Sequence, residues 1–307
     1  VTPGGVAVRT DYGAYTAKDA PVTPKFTRLS TEAMPDLTAR DDYGTLYAFV
    51  GALYESDFVR MGKYAFADAQ GRVVTDPVYN SVAQLRTGDG KKGIWRFTKA
   101  FAEMRVDDNG SSYAVNQERC GIATLDGTAV TDCRYERVSA GDRCVMCIYP
   151  TTEGETPKFD IYDYDGTLLA TSAELPIAGR LYGLPWWFGC VGEYLLVALH
   201  SDEYADRGDG VFREVADLYL ADPDGTLRLG PFTNVTQSGK YFAVTLKDGT
   251  NALLDSEGNY LFGRSFLRIF RNDDDRFTVQ KDGSDSYHIL DAAGNEIFSY
   301  DGTDCPG

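Results

Sequence analysis

The feature of this sequence that most constrains its fold is an internal repeat, each copy of which is centred on a short turn. In the segments 240–259 and 276–295, a strand pattern leads into Lys-Asp-Gly, a second strand pattern ends in Leu-Asp, and a further turn ends in Gly-Asn. Asp-Gly and Gly-Asn pairs between alternating apolar residues are the strongest short-range signal of a β-hairpin, because the tight turn needs a positive φ that glycine adopts at little cost. The repeat therefore predicts a succession of antiparallel hairpins.

The same unit can be aligned seven times along the 307 residues. Three divergent copies have their first strands predicted at Tyr47–Val50, Cys144–Ile148 and Tyr194–Leu199. The first copy turns without glycine, near Lys18-Asp19. The copies lie near 6–29, 47–85, 112–138, 144–170, 194–235, 240–262 and 276–300, and their turn glycines are Gly71, Gly127, Gly166, Gly225, Gly258 and Gly294.

The size of the unit indicates how the copies are arranged. A repeat of three or four short strands over about 40 residues cannot bury both faces of its small sheet alone, so neighbouring sheets must stack face to face. The length, the repeat size and the strand count together predict a single all-β domain over 1–307, closed as a β-propeller of about seven blades. The alternative architecture is an open stack of β-hairpin sheets.

The unit resembles the WG (KWG) β-repeat of many bacterial proteins, in which a strand, an aromatic-Gly pair, a second strand, a Gly turn and an aromatic residue follow one another. Tyr12-Gly13 and Cys120-Gly121 occupy the aromatic-Gly position, and no copy contains a Trp-Gly pair. Pro24-Lys25-Phe26, Pro77-Val78-Tyr79 and Cys133-Arg134-Tyr135 occupy the closing position. The resemblance implies repeat architecture and no single activity.

The charge balance excludes several classes of partner. The 46 acidic and 30 basic residues give a formal net charge of -16, which repels nucleic acid and anionic lipid surfaces. No run approaches the ~20 apolar residues that a membrane helix needs. We therefore expect no nucleic-acid partner and no transmembrane segment.

Catalytic motifs are not found in the sequence. The two histidines, His200 and His288, fall at or in strand patterns and are interpreted as strand residues. The sequence contains no Gly-x-Ser-x-Gly elbow, no His-Glu-x-x-His helix and no phosphate-binding loop. We therefore assign no catalytic residue and no cofactor. A pair of carboxylates at a propeller centre, which would hydrolyse sugars, stays open as an alternative.

Acidic clusters occur at Asp163/Asp165, Asp222/Asp224, 273–275 and 201–210, but none has the spacing of an EF-hand loop. They are interpreted as hairpin-turn aspartates, and no metal site is predicted. The Cys144-x2-Cys147 pair has no second pair at zinc-finger spacing, so it does not indicate zinc either.

Cys120 and Cys133 lie symmetrically about the Asp126-Gly127 turn. A two-residue loop would make them a directly opposed, non-hydrogen-bonded pair, with Cα atoms within ~4.5 Å of each other. Two outcomes follow from this register: a disulfide under oxidising conditions, or a reduced pair of adjacent thiols.

Two aromatic segments are candidates for binding. The first is Trp186, Trp187 and Phe188, between the fourth and fifth copies; these side chains either stack on a sugar or anchor a partner, or fill the space between blades. The second choice is Trp95 and Arg96, in the lysine-rich segment 88–101, which is interpreted as an insertion.

The leading hypothesis is a non-catalytic scaffold whose loops, after the second and fourth copies and at 201–214, bind a protein or a cell-surface glycan. The alternatives are a carbohydrate-active enzyme and an architectural module of the cell envelope. The start at Val1 instead of Met is interpreted as a trimmed leader. With the family resemblance, it predicts an exported or cell-surface bacterial protein or lipoprotein. The sequence predicts no oligomeric state.

Overall fold

A computed structural model describes the chain at residues 6–11, 25–30, 47–55, 60–67, 78–106, 109–127, 131–152, 154–201, 203–206, 212–238, 241–272, 276–281 and 283–302. The chain divides into two compact units. The first comprises Val1–Val138, Cys147–Pro150 and Tyr162–Leu168, and the second comprises Ser139–Met146, Thr151–Ile161 and Leu169–Gly307. The prediction of one repeat domain over 1–307 stays a prediction.

The first seven described strands form two hairpins, β1-β2 and β3-β4, and one antiparallel sheet of order β5-β6-β7. Two strands of that sheet are long, and these two, β6 and β7, pair along almost their whole length. The bounds are β1 Val6–Asp11, β2 Lys25–Ser30, β3 Tyr47–Glu55, β4 Arg60–Ala67, β5 Ser81–Arg86, β6 Gly93–Val106 and β7 Ser112–Thr124.

The remaining described strands form four-stranded antiparallel sheets, of orders β8-β9-β10-β11, β12-β13-β16-β17, β18-β19-β20-β21 and β22-β23-β24-β25, and one hairpin, β14-β15. The chain also forms short 3-10 helices at Ser172–Glu174, Ala178–Arg180 and Pro185–Trp187. The strand bounds are β8 Arg137–Ala140, β9 Val145–Ile148, β10 Phe159–Tyr162, β11 Leu168–Thr171, β12 Gly189–Val191, β13 Tyr194–Leu199, β14 Tyr204–Asp206, β15 Phe212–Glu214, β16 Asp217–Ala221, β17 Leu227–Phe232, β18 Asn234–Ser238, β19 Tyr241–Thr245, β20 Asn251–Leu254, β21 Tyr260–Phe266, β22 Arg268–Arg271, β23 Phe277–Gln280, β24 Ser286–Leu290 and β25 Glu296–Asp301.

The predicted all-β repeat fold is confirmed. Each of the last four sequence copies falls on the second, third and fourth strands of one four-stranded sheet, and the first strand of that sheet lies just before the copy. The structural unit is thus the sequence repeat plus one preceding strand. Closure of the sheets into a propeller, and the open stack that is its alternative, both stay predictions.

The turn glycines have the predicted conformation. Gly127, Gly166, Gly225, Gly258 and Gly294 all have positive φ, between 75° and 86°, which side chains with a Cβ adopt only with strain. The turns predicted near Lys18-Asp19 and at Gly71 lie outside the described residues.

One aspartate closes the hairpin between the third and fourth strands in three of the repeats. Asp255 Oδ1 accepts hydrogen bonds from the backbone amides two and four residues later, at 2.9 and 2.8 Å. Asp291 and Asp163 make the same pair of bonds, at 2.8–2.9 Å and 2.7–3.0 Å. The side-chain amides of Asn259 and Asn295 donate back to Oδ2 of their aspartates. These bonds fix the turn, as Asx turns do.

We expect the Asp291 carboxyl to titrate below its ordinary pKa of 3.8, because the Asn295 side chain and then the Asn295 backbone amide donate hydrogen bonds to the carboxylate. A folded pKa below the unfolded value means that the stabilisation is complete above the unfolded pKa and is lost as the pH falls through the folded pKa. Amide chemical shifts of Asn295, followed from about pH 6 to about pH 2, should report this midpoint. The control Asp291→Asn keeps a side-chain oxygen that accepts the hydrogen bonds but has no carboxyl to titrate, so the change in chemical shift with pH should vanish. A midpoint at or above pH 3.8 in the wild type would contradict the lowered pKa of Asp291.

The segment 88–101 is not an insertion, and that prediction is wrong. Residues 93–100 form the first part of β6, the central strand of its sheet. Ile94 is fully buried on one face of the strand and Phe97 is 1% exposed on the other. Because the strand is covered on both faces, it has no simple alternation of polar and apolar residues, and Arg96 and Lys99 interrupt its apolar residues.

The predicted register of Cys120 and Cys133 is also wrong. Cys120 pairs with Tyr135, through backbone bonds of 2.6 and 3.1 Å. A tight turn, in which the Arg134 amide donates to the Asp132 carbonyl, takes up the extra residues. Cys133 packs against the core cluster of β6 and β7, and both thiols are free. Their cross-link stays a prediction.

Candidate functional site

The aromatic segment predicted for binding is a short turn that divides its three rings between core and surface. Pro185 opens the 3-10 helix at a position that suits its fixed φ. The amides of Trp187 and Phe188 close the helix on the carbonyls of Leu184 and Pro185, at 2.9 and 3.4 Å. Pro185 is buried, so the turn is anchored at its first residue.

The three candidate rings differ in exposure. Phe188 is fully buried and packs against Phe159, with ring centroids 5.6 Å apart. Trp187 is half-buried and lies over Gly183, where a Cβ would come within 2.2 Å of the indole ring. Trp186 is 59% exposed. Phe188 and Trp187 therefore hold the turn in place, and Trp186 is the residue that it presents.

The second predicted binding loop, 201–214, forms an extra hairpin between β13 and β16. Tyr204 pairs with Glu214 across β14 and β15. The amide of Val215 donates to the Glu203 carbonyl, at 2.8 Å, and closes the base of the hairpin. Tyr204 is 64% exposed.

The structure brings these two insertions together at the end of β13. The His200 amide donates to the Arg180 carbonyl (2.9 Å), and the Tyr182 amide donates to the Ala198 carbonyl (3.1 Å). The segment before the aromatic turn thus runs antiparallel to the end of the strand. The Tyr182 ring lies against the His200 ring, with centroids 4.6 Å apart, and its hydroxyl donates to the Glu214 carbonyl at 3.5 Å.

His200 and Glu214 form the polar centre of this contact. His200 Nδ1 lies 3.0 Å from both carboxylate oxygens of Glu214, and Glu214 also accepts a bond from the Ser201 amide at 2.8 Å. Glu214 is largely buried, while about half of the His200 side chain is exposed. An imidazole oriented by a carboxylate is a possible proton acceptor. The Ser201 hydroxyl accepts the Glu203 amide proton, at 3.0 Å, and so is already used in the turn.

Lys247 links the base of the hairpin to β16. Its Nζ lies 3.0 Å from Glu203 and 2.9 Å from Asp217. Hydrogen bonds to Asp217 and then to Glu203 raise the pKa of the lysine. The two ion pairs tie Glu203, at the base of the hairpin, to Asp217 in β16.

We call Tyr182, Trp186, His200 and Tyr204 the insertion surface. Trp186 follows Tyr182 by four residues, and Tyr204 follows His200 by four. The two segments meet at the end of β13, and each carries one exposed aromatic residue, Trp186 or Tyr204.

Trp95 and Arg96, the second-choice site, are not brought together. Consecutive residues of β6 point to opposite faces, and Trp95 packs edge-on against Phe66, with ring centroids 5.6 Å apart. A shallow pocket of about 280 Å³ lies nearby. Its lining includes Lys91, Lys92, Asp126 and Asp165, whose charges compensate, and neither Trp95 nor Arg96 contributes to it.

The aspartates of the clusters at 163/165 and 222/224 lie in or beside hairpin turns, as predicted, whereas Asp206 of the cluster 201–210 lies in β14. Asp163 and Asp224 accept backbone amides of their own turns, and Asp222 binds Arg228 through Oδ2, at 2.6 Å from Nε. In the described part of the chain, no group of three or more His, Cys, Asp or Glu residues could hold a metal ion. The cluster 273–275 lies outside the described residues, and 201–210 is described in part.

Sequence reasoning missed Tyr182 and the His200–Glu214 contact. His200 lies just past β13 and is exposed, so it is not the strand residue that was predicted. Glu214 ends β15, 14 residues after His200, and no local pattern links the two residues. The departure of both segments from the repeat was the signal that pointed to this region.

Comparisons with known proteins add no family. No protein-family model matches the chain, and no curated protein matches it. Similar solved structures include a mitotic checkpoint complex, at 13% identity and TM-score 0.28 over 73% of this chain and 68% of that one. They also include the computationally designed Ika8 protein, at 9% identity and TM-score 0.28, over 84% of this chain and 90% of that one. BamB from Moraxella catarrhalis is similar at 12% identity and TM-score 0.27, over 84% of this chain and 85% of that one. Likenesses at these TM-scores carry no weight for function. No helix among the described residues is long and apolar enough to cross a membrane.

Proposed function

We propose that this chain is a non-catalytic binding scaffold, related to the WG-repeat proteins, and that its insertion surface binds a partner protein at the bacterial cell surface. The observation that carries this proposal is that two segments which depart from the repeat meet at the end of β13, each with an exposed aromatic residue, Trp186 or Tyr204. Exposed Trp and Tyr residues are the side chains that most often dominate binding energy at protein interfaces.

The way in which Trp186 is held supports a binding role. A buried Pro185 precedes it and a buried Phe188 follows it, so the backbone under the exposed ring is fixed before any partner arrives. Rigidity of this kind lowers the entropy lost on binding. With a net charge of -16 on the chain, long-range electrostatics favours a partner whose contact surface is basic.

Replacement of Trp186 by alanine should weaken partner binding at least tenfold and leave the thermal midpoint nearly unchanged, because the ring is exposed in the free protein. Binding would first be found by a thermal-shift screen of the purified chain against cell-surface proteins and glycans. Each hit would then be titrated by calorimetry against wild type, Trp186→Ala and the matched control Phe270→Ala, which removes a ring that is 52% exposed on β22.

Equal affinity of the wild type and Trp186→Ala for every hit would reject the insertion surface as the binding site. If only glycans bind, and Trp186→Ala weakens their binding, the insertion surface is still the binding site. The partner is then a glycan and not a protein. Loss of binding in Phe270→Ala alone would move the site to the last sheet.

One observation favours a second candidate, the carbohydrate-active enzyme. The His200–Glu214 pair has the geometry of a carboxylate-oriented base, with Nδ1 3.0 Å from the carboxylate. If it acts on a bound glycan, incubation should give new reducing ends, and His200→Gln should abolish them while binding remains. An unchanged glycan after prolonged incubation with the wild type supports the scaffold.

Export is the remaining part of the proposal. It is supported by the acidic, repeat-built sequence and by its resemblance to a bacterial family. Antibody labelling of intact cells that carry the full-length gene should detect the protein outside the cytoplasmic membrane. Recovery only with a cytoplasmic marker would contradict export.

A further inference from the structure

Two cysteines outside the insertion surface lie next to each other in the second compact unit. Cys144 follows the tight turn between β8 and β9, where the Gly141 amide donates to its carbonyl at 3.0 Å. Cys190 is the middle residue of β12, opposite Leu195. Cys144 is 2% exposed and Cys190 is half-buried.

Backbone contacts hold the β8–β9 turn against β12. The Cys190 amide donates to Ser139 Oγ, at 2.9 Å, and the Asp142 amide donates to the Gly192 carbonyl, at 2.6 Å. A Cβ on Gly141 would lie 2.8 Å from Cys190 Cβ and 2.5 Å from the Gly192 oxygen. The turn thus approaches β12 as closely as only glycine permits, and the Cys190 thiol donates a hydrogen bond to Cys144 Sγ.

We propose that Cys144 and Cys190 form a disulfide when the protein meets an oxidising disulfide such as oxidised glutathione, and that this bond links the β8–β9 turn covalently to β12. The two hydrogen-bonded thiols belong to elements that backbone bonds hold together, so a disulfide between them needs little movement of the backbone.

The reaction proceeds by two exchanges. The Cys190 thiolate, on the accessible side, attacks one sulfur of the oxidant, forming a mixed disulfide and releasing one thiol. The Cys144 thiolate then attacks Cys190 Sγ and displaces the second thiol. In total the two cysteines lose two electrons and two protons, and the oxidant is reduced to two thiols.

The surroundings of Cys144 favour its thiolate. While Cys190 is a thiol, its hydrogen bond lowers the pKa of Cys144 against the opposing effect of burial, and the charge of Arg143, which also acts in the mixed disulfide, lowers it further. In the pair Cys120 and Cys133, by contrast, burial raises both pKa values, that of Cys133 to about 11. A thiolate is the attacking species, so the pair that contains Cys144 should form a disulfide in preference to Cys120 and Cys133.

The test uses the purified full chain, incubated with excess oxidised glutathione and in parallel with a reductant. Free thiols are alkylated in denaturant, and a non-reduced digest is analysed by mass spectrometry. We expect one cross-linked peptide pair containing Cys144 and Cys190, and a melting temperature roughly 5–10 °C above that of the reduced protein. Cys190→Ser should lose both the cross-link and the shift, while the control Cys133→Ser keeps them.

Alkylation of both Cys144 and Cys190 in the oxidised wild type would overturn the proposal, whatever the variants do. So would a digest in which Cys120 and Cys133 are the linked pair. Because the readout is a peptide mass, the outcome is independent of whether the insertion surface binds a partner.

Discussion

Replacement of Gly183 by alanine should lower the free energy of unfolding by about 2–4 kcal/mol, because two costs of overpacking and backbone strain add. Gly183 has a φ of +115°, which residues with a Cβ rarely adopt, and the new Cβ would lie 2.2 Å from the Trp187 ring. To relieve the clash, Trp187 must leave its place in the turn. The variant should therefore also lose binding through Trp186, which the same turn presents.

Gly179→Ala is the matched control for this experiment. Gly179 lies four residues earlier on the same segment, has no atom within 4 Å of its Cβ position, and does not need positive φ. Urea unfolding should place this variant within about 0.5 kcal/mol of wild type. Equal stability of the two alanine variants would contradict the described packing of the aromatic turn.

Replacement of Phe277 by alanine should destabilise the second unit by about 3–5 kcal/mol, the range for a large aromatic removed from a core. Phe277 is fully buried in a cluster with Tyr241 and Leu253. Its ring meets those of Tyr241 and Phe262, at centroid distances of 5.0 and 5.8 Å. The cavity left behind cannot close without moving both neighbouring sheets of the cluster.

Phe270→Ala provides the comparison, since Phe270 lies on the adjacent strand β22 but is 52% exposed. Removal of the Phe270 ring should change the free energy of unfolding by less than about 1 kcal/mol. Calorimetric scans of both variants would measure the difference. If Phe277→Ala has the same melting temperature as the wild type, the cluster around Phe277 is not a hydrophobic core.

The parts of the fold that sequence predicts well are those that short-range chemistry determines. An Asp-Gly or Gly-Asn turn needs positive φ, and Gly258 and Gly294 have it. The strand predicted at Tyr194–Leu199 is β13, with the same bounds. Since hairpins form between neighbours in the chain, the repeat was sufficient to locate the last three strands of each four-stranded sheet.

What sequence predicts poorly depends on contacts between distant residues. The first strand of each sheet, such as β22, lies outside the recognisable repeat because its side chains follow no fixed pattern. The register of Cys120 fails because an irregular turn at Asp132 to Arg134 shifts the pairing by two residues. The lysine-rich segment 88–101 was interpreted as an insertion, but its residues from Gly93 onward belong to β6, a central strand.

The candidate site shows the same division. The departure from the repeat correctly marked Trp186 and the segment 201–214 as unusual. The contact of Tyr182 with His200, and of His200 with Glu214, joins residues that only the folded β13 brings together. Of the three aromatic candidates, Phe188 belongs to the core and Trp186 to the surface, a distinction that composition alone does not make.

The central claim, that the two insertions form one binding surface, can be tested most directly by photo-cross-linking. A photoreactive amino acid would replace Trp186 in one variant and Tyr204 in another, with Phe270 and Phe298 as exposed aromatic control positions on the last sheet. After irradiation of intact cells, positions 186 and 204 should cross-link to the same partner protein, and positions 270 and 298 should not. Different partners at 186 and 204, or the same partner at all four positions, would contradict a single surface formed by the two insertions.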